Sequence, residues 1–222
     1  MNRFLKRVVN GSGSRLLEPV IAWHNQPARA HTSVKICTWD RPGLFTTISG
    51  ALAASGLNIL SARVFSRGDG IILDTFLVVD ARTGGLAKRR ERDTFKKQLT
   101  QALLPGESPE FQTQIDTLSK RATPAEWEWP TRIRIDTEAA ESRTIIEVES
   151  ADRLGLLHRI SKVLTRHGLS IHVARISTEK GAAIDTFYVR TALGKKPTDE
   201  ALLLQIQSDL KTELNEQKRD MY

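Results

Sequence analysis

The sequence contains one cysteine, Cys37, among its 222 residues. A single thiol cannot form an internal disulfide, and it cannot supply the several thiolates of a cysteine-based zinc site. Cys37 alternates with apolar neighbours, which favours a small buried side chain over a reactive thiol. Because scarce cysteine is typical of proteins from reducing compartments, we expect a cytoplasmic protein.

Long apolar runs are also missing, and stretches such as Ile71–Leu73 end after a few residues. A membrane-spanning helix needs about 20 consecutive apolar residues. With 40% hydrophobic residues, the chain can nevertheless bury a core. We therefore expect a soluble protein of one or two domains that has no membrane partner.

The residue patterns of several enzyme classes do not occur in the sequence. There is no Asp-x-Asp pair for two magnesium ions, no His-Asp dipeptide of a metal phosphohydrolase, no Gly-x-Ser-x-Gly and no P-loop. His158 and His167 are nine residues apart, which puts them on opposite faces of a helix and not at metal-ligand spacing. The sequence predicts no catalytic residues, no metal and no cofactor.

The formal net charge of +7 is concentrated in one segment, residues 82–97, where seven Lys or Arg face two acids. Such an excess of positive charge suggests nucleic acid as a partner. The segment is not interleaved with the stacking aromatics that single-strand readers use. A solvated helix face is therefore the favoured interpretation, and a nucleic-acid-binding module using residues 82–97 is kept as an alternative.

The sequence repeats itself. Asp-Arg-Pro-Gly-Leu at 40–44 returns 112 positions later as Asp-Arg-Leu-Gly-Leu at 152–156. After a one-residue deletion, Asp-Thr-Phe at 74–76 returns at 185–187. Each copy has an alternating apolar run, the Asp-Arg-x-Gly segment, a helical apolar pattern, two further strand patterns and a polar-faced helix.

This order, β-α-β-β-α, predicts the α+β fold class: two ferredoxin-like modules with antiparallel sheets. We predict a linker at residues 1–31, a first module at 32–104, a connector at 105–130 that includes a helix near 109–121, and a second module at 131–222. The ferredoxin-like fold requires one more strand. Residues 131–136 could be the final strand of the first module or a leading strand of the second.

The two Asp-Arg-x-Gly segments, together with Gly-Leu-Asn-Ile at 56–59, resemble ACT domains. More closely, nearly the whole chain resembles the tandem ACT pair at the C-terminus of bifunctional PII uridylyltransferase/uridylyl-removing enzymes. Ile-Ala-Trp-His at 21–24, the Asp-Thr-Phe repeats and Thr-Arg-Ile-Arg-Ile-Asp at 131–136 also match. The catalytic domains of that family are absent from this chain, so the resemblance implies a regulatory module, and whether the chain itself belongs to an enzyme is left open.

The resemblance implies an amino-acid site between the Asp-Arg-x-Gly segment and the second strand of a partner module. We expect the Asp to be a helix N-cap, and the helix start to receive a ligand carboxylate. The ammonium would meet Asp40 or Asp152, and Asn58 would bond to a side-chain amide. The expected ligand-binding residues are Asp40, Arg41, Pro42, Gly43, Leu44, Asn58, Ile59, Asp152, Arg153, Gly155, Leu156, Ser170 and Ile171.

The copies differ at three positions in or beside these segments: Pro42 becomes Leu154, Asn58 becomes Ser170 and Leu60 becomes His172. The two sites therefore need not be equivalent. The leading functional hypothesis is a glutamine sensor acting on catalytic domains or on a partner enzyme in trans, with a homodimer through the ACT sheets as a further expectation. The alternative within the same class is a stand-alone ACT–ACT regulator for another amino acid.

Overall fold

The computed structural model describes residues 18–64, 70–107, 110–121, 129–179 and 181–219. Eight strands form one sheet, in the order β1-β2-β4-β3-β7-β8-β6-β5. The first half of the chain has β1 Val20–Gln26, β2 His31–Trp39, α1 Leu44–Ala54, β3 Leu57–Arg63, β4 Ile71–Asp80 and α2 Arg89–Ala102. A connector helix, α3, spans Gln112–Ser119, and the second half has β5 Arg132–Asp136, β6 Thr144–Ala151, α4 Leu156–Arg166, β7 Leu169–Glu179, β8 Ala182–Thr191 and α5 Glu200–Arg219.

The α+β, ferredoxin-like fold with an antiparallel sheet is confirmed, because each half contains the predicted βαββα unit and all the strand pairs are antiparallel. In each half the apolar side of the strands faces the helices. The resulting core is continuous across the halves and includes Phe76, Phe95 and Phe187, all fully buried. Cys37 is buried as well.

Each βαββα unit is preceded by an extra strand that takes the outer edge of the sheet. β5 pairs with β6, from Arg132↔Glu149 to Asp136↔Ile145, so residues 132–136 lead the second half and do not close the first. β1 pairs with β2 in the same way, from Val20↔Cys37 to Gln26↔His31. The linker prediction for residues 1–31 is therefore wrong for Val20–Gln26, whose backbone finds its hydrogen-bond partners on β2.

The two halves are joined through the sheet by β3 and β7, which pair from Ser61↔Ser177 to Arg63↔Arg175. Both strands carry an irregularity at the same place in the repeat, between Ile59 and Ser61 and between Ile171 and Val173. Bulges of this kind redirect neighbouring side chains. They lie beside the residues at which each half approaches the helix start of the other.

Helices α1 and α4 pack against each other over this central junction. The hydroxyl of Thr46 lies 2.9 Å from that of Thr165, and Ser49 lies 3.4 Å from Ser161. Small side chains allow this approach. At Gly50 an added Cβ would lie 2.4 Å from a ring carbon of Phe111, so this glycine leaves room for the connector. The halves are thus held together by both layers, sheet and helices.

Candidate functional site

The two Asp-Arg-x-Gly loops enter their helices in the same way. The backbone N–H of Asp40 donates to the carbonyl of Gly70 at 2.7 Å, and that of Asp152 donates to Gly181 at 2.9 Å. Both bonds fasten the start of the loop to the hairpin turn of the same half. Helix α1 then begins at Leu44 and α4 at Leu156.

The N-cap of each helix is the loop glycine, and the prediction that Asp40 and Asp152 are N-caps is wrong. Gly43 has φ 71° and Gly155 has φ 83°, and neither cap makes a side-chain hydrogen bond to its helix. This left-handed conformation is accessible to glycine without the clash that a Cβ brings. The aspartates stand three residues before the cap, so their carboxylates are not engaged by the first helical turn.

The loop arginines tie each loop to the last helix of its half. Arg41 donates from Nη1 to the carbonyl of Leu103 at 2.7 Å, at the C-terminal end of α2. Arg153 donates from Nη2 to the carbonyl of Leu214 in α5 at 2.5 Å. Burial, with the charge of Arg159 nearby, lowers the pKa of Arg153 to about 10, so it remains a cation at neutral pH. Both guanidinium groups therefore support the loop.

The first cavity lies between the Asp40 loop and the start of β7, which belongs to the other half. Its volume is about 280 Å³. Asp40 and Pro42 are exposed at its edge, whereas Asp74 is only 1% exposed. Burial lowers the pKa of His172, which is therefore uncharged at neutral pH. The lining residues are Asp40–Thr46, Val64, Ile72, Asp74, Thr165 and Leu169–His172.

The second cavity is its counterpart, between the Asp152 loop and the start of β3, and its volume is about 10 Å³. The Asn58 side chain fills the gap: its Nδ2 donates to Oδ2 of Asp152 at 2.9 Å. Within the described part of the chain, Oδ1 of Asp185 and Oγ1 of Thr178 are buried without a hydrogen-bond partner. Both residues line this cavity.

Two carboxyl groups share the second cavity: Asp185 is buried and Asp152 is half-buried. Burial raises the pKa of Asp152, against the opposing hydrogen bonds from the Asn58 side chain and the Arg153 backbone. Burial raises the pKa of Asp185 well above its ordinary value, and the charge of Asp152 adds to that rise. Burial also lowers the pKa of His158, so this neighbouring ring does not offset their charge.

The connector helix α3 covers the loop of the second cavity. A Cβ on Gly155 would lie 2.5 Å from Cγ2 of Ile115, and Asp116 pairs with Arg159 at 2.6 Å. At the first loop the nearest atom to a Cβ on Gly43 is Cγ2 of Thr165, at 3.6 Å. The connector helix consequently packs against the second loop, whereas the first loop is less closely packed.

Among the residues that the structure describes, no group of three or more His, Cys, Asp or Glu side chains is arranged to hold a metal ion. Over the same residues, no helix is long and apolar enough to cross a bilayer.

Comparison with known families identifies both halves. Residues 32–94 match the profile of the ACT domain, and residues 139–217 match that of the ACR family N-terminal ACT domain. The chain carries two ACT domains. The leading strands β1 and β5 lie outside both matches.

The curated relatives are much longer than this ACT pair. The bifunctional uridylyltransferase/uridylyl-removing enzyme of Azospirillum brasilense is 37% identical over 82% of this chain and 20% of its own length. The enzyme of the same name from Gluconobacter oxydans is 35% identical over 83% of this chain and 20% of its own length. The chain thus spans about a fifth of these relatives, and the similarity falls in their C-terminal region.

Among solved structures, an aspartate kinase from Synechocystis has a TM-score of 0.42 and 14% identity, covering 81% of this chain and 26% of that one. A likeness this low supports no argument about function.

The structure brings the predicted site residues into two groups, each drawn from both ACT domains. Sequence reasoning missed Asp74 and Asp185, although both repeat within Asp-Thr-Phe. Burying a carboxyl group on the core side of a strand costs free energy, so its repetition was a usable signal of a functional role. The first cavity takes Asp40, Arg41, Pro42, Gly43, Leu44, Ser170 and Ile171, and the second takes Asn58, Ile59, Asp152, Arg153, Gly155 and Leu156.

Proposed function

We propose that this ACT pair is a glutamine-sensing regulatory module of a uridylyltransferase-like nitrogen-signalling protein, and that the first cavity is its ligand site. The supporting observation is an open cavity of about 280 Å³ between the helix start of one ACT domain and a strand of the other. A ligand bound there touches both domains. It can therefore change how the domains are held together, which is what a regulatory module requires.

The cavity offers complementary groups for an amino acid zwitterion. The first turn of α1 presents backbone N–H groups without helical partners and the positive end of the helix dipole, which suits a carboxylate. Asp40 and Asp74 line the cavity and suit an ammonium group. The ligand's two charged groups would thus be held by one loop and the strand beside it.

The opposite wall suits a carboxamide. His172, uncharged at neutral pH, has one donor and one acceptor nitrogen, and Ser170 adds a hydroxyl group. A carboxamide likewise has a donor and an acceptor. Glutamine fits this pairing better than a purely apolar amino acid, which would leave these groups unpaired.

The charged segment 82–97 gives the nucleic-acid alternative less support. Arg92 donates to the backbone of Ala87 at 2.7 Å and also bonds to the side chain of Asn25. Lys88 lies 3.6 Å from Asp80, and Arg89 lies 3.5 Å from Asp93. Much of this charge is thus directed at local partners and not arranged as a free phosphate-binding stripe.

The proposed targets of the signal are catalytic domains, in the same polypeptide or in trans. The proposed location is the cytoplasm. Copies of the chain would associate through the outer edges of the sheet at β1 and β5.

Isothermal titration calorimetry of the chain with L-glutamine, L-glutamate and L-methionine tests this function. We expect glutamine to bind more tightly than methionine, and we expect His172→Leu, which installs the residue of the equivalent position 60, to reduce that preference. Wild-type protein that binds none of the three at millimolar concentration would refute the proposal. Tighter binding of another amino acid would instead favour the stand-alone ACT–ACT regulator.

A further inference from the structure

The two cavities are the same site built twice. Asp40 corresponds to Asp152, Asp74 to Asp185 and Leu44 to Leu156, and each set lines its own cavity. In each case the facing strand comes from the other ACT domain. Nevertheless the first cavity measures about 280 Å³ and the second about 10 Å³.

One pair of corresponding positions lies across the gap in both cavities: Ser170 in the first and Asn58 in the second. The longer Asn58 side chain reaches the loop and donates to Asp152 at 2.9 Å. In the described part of the chain, no hydrogen bond joins Ser170 to Asp40, the equivalent carboxylate. The open cavity is therefore the one whose strand carries the shorter side chain.

We infer that Asn58 holds a second amino-acid site shut by placing its own amide N–H on the carboxylate that would receive a ligand's ammonium group. The closed site would take the same chemical class as the open one, a small zwitterion. This inference rests on the proposed function for its ligand. It assigns the chain one working site, built from the Asp40 loop and β7, and one latent site.

The polar groups left inside the closed cavity support a latent site over plain core packing. Oδ1 of Asp185 is buried without a hydrogen-bond partner in the described structure, and so is Oγ1 of Thr178. These atoms line the same small space as the Asn58–Asp152 pair. A packed core disfavours such unpaired groups, whereas a ligand site requires them. The remaining volume of about 10 Å³ matches roughly one water molecule, too little for an amino acid.

The closing contact can be exchanged between the two sites by swapping the residues at positions 58 and 170. Calorimetry with L-glutamine should give one site per chain for the wild type and two for Asn58→Ser. Ser170→Asn should abolish binding at the first site. The double variant should again bind one glutamine, now sensitive to Asp152→Asn and not to Asp40→Asn. Asn58→Ala should open the second site as Asn58→Ser does.

A count of two for the wild type, or of one for both Asn58→Ser and Asn58→Ala, would overturn the inference. Because serine already occupies the equivalent strand position, we expect Asn58→Ser to fold, and its melting temperature checks this.

A second readout, which needs no ligand, separates failure of this inference from failure of the proposed function. In the wild type, the side-chain amide protons of Asn58 should exchange with water more slowly than those of exposed Asn215, and Asp152→Ala should remove this protection. Slow exchange without glutamine binding would leave the closed site standing and refute the glutamine sensor. Exchange as fast as that of Asn215 would refute the closed site whatever the ligand.

Discussion

The two ACT domains share one plan, but their cavities differ because of what faces each loop. At the first loop, Asp40 is exposed, and a Cβ added at Gly43 would make only ordinary contact with Thr165, at 3.6 Å. At the second, Asn58 bonds to Asp152 and Ile115 of the connector helix packs over Gly155. The repeat thus preserved the plan of both cavities, while a strand residue and the connector helix fill the space around the second loop.

The largest expected effect comes from the loop glycines. Alanine at either position incurs left-handed strain, roughly 1–2 kcal/mol. At position 155 the new Cβ would also approach Ile115 within 2.5 Å, and overpacking adds about 1–3 kcal/mol. Urea unfolding should therefore show Gly155→Ala to be clearly less stable than Gly43→Ala. Equal losses would mean that the connector helix does not pack tightly on the second loop.

The aspartates should differ in binding and not in folding. Asp40→Asn removes the charge facing a ligand ammonium, so we expect glutamine affinity to fall roughly tenfold or more, which corresponds to about 1.4 kcal/mol. Asp152→Asn, the matched control, should leave the affinity of the first site nearly unchanged. Because Asp40 is not an N-cap, Asp40→Asn and Asp40→Ala should both melt close to the wild type. A large loss of stability in Asp40→Ala would show a structural role instead.

The buried carboxyl group of Asp185 gives the second cavity a pH signature. Its native pKa is raised above the ordinary 3.8, so between these values the folded chain holds a proton that the unfolded chain has released. Stability therefore falls as pH rises through that window. Asp185→Asn should reduce this fall in stability. At pH values above the native pKa of Asp185, the variant should be more stable than the wild type. Urea unfolding from acidic to alkaline pH measures both effects.

Asp209 serves as the control for that experiment, because its effect on stability depends on pH in the opposite direction. A hydrogen bond from His167 lowers the pKa of Asp209, so its stabilising effect is present above 3.8 and disappears as pH falls through the lowered native value. Asp209→Asn should therefore lose stability at neutral pH. If Asp185→Asn behaves like Asp209→Asn, Asp185 is charged and stabilising, contrary to the arrangement described above.

The smallest effect is expected at the basic segment. Arg89, Arg90 and Lys97 are exposed on α2, away from both cavities. Exposed charges interact weakly at physiological salt, so replacing all three with Gln should change glutamine affinity by less than about twofold. A large loss in calorimetry would mean that the ligand site lies elsewhere.

Parts of this comparison could be predicted from the sequence, and others could not. The βαββα units followed from apolar periodicity and from the repeat, and α2, Arg89–Ala102, is the polar-faced helix predicted to end the first copy. β1 was missed because its segment, VIAWHNQ, mixes apolar and polar residues without regular alternation. This segment is a strand because it pairs with β2, and its own residue pattern does not show that pairing.

The site residues were found from the repeat and from the resemblance to ACT domains, which also implied a loop facing a second strand, but the individual contacts were not found. That Asn58 meets Asp152 depends on β3 pairing with β7 and on the irregularity after Ile59. The glycine cap likewise depends on a left-handed turn that competes with the usual preference for Asp. Residue type suggested the chemistry, whereas the cross-domain register decided which loop each strand residue faces.

The most direct test of an open first site and a closed second one is backbone amide NMR of the wild-type chain titrated with L-glutamine. The account predicts shifts at Gly43–Thr46 and Ser170–His172, with much smaller ones at Asn58 and Gly155–Leu157. Comparable shifts in both sets would show that both sites bind. Shifts confined to the second set would contradict the account, as would the absence of any shift at millimolar glutamine.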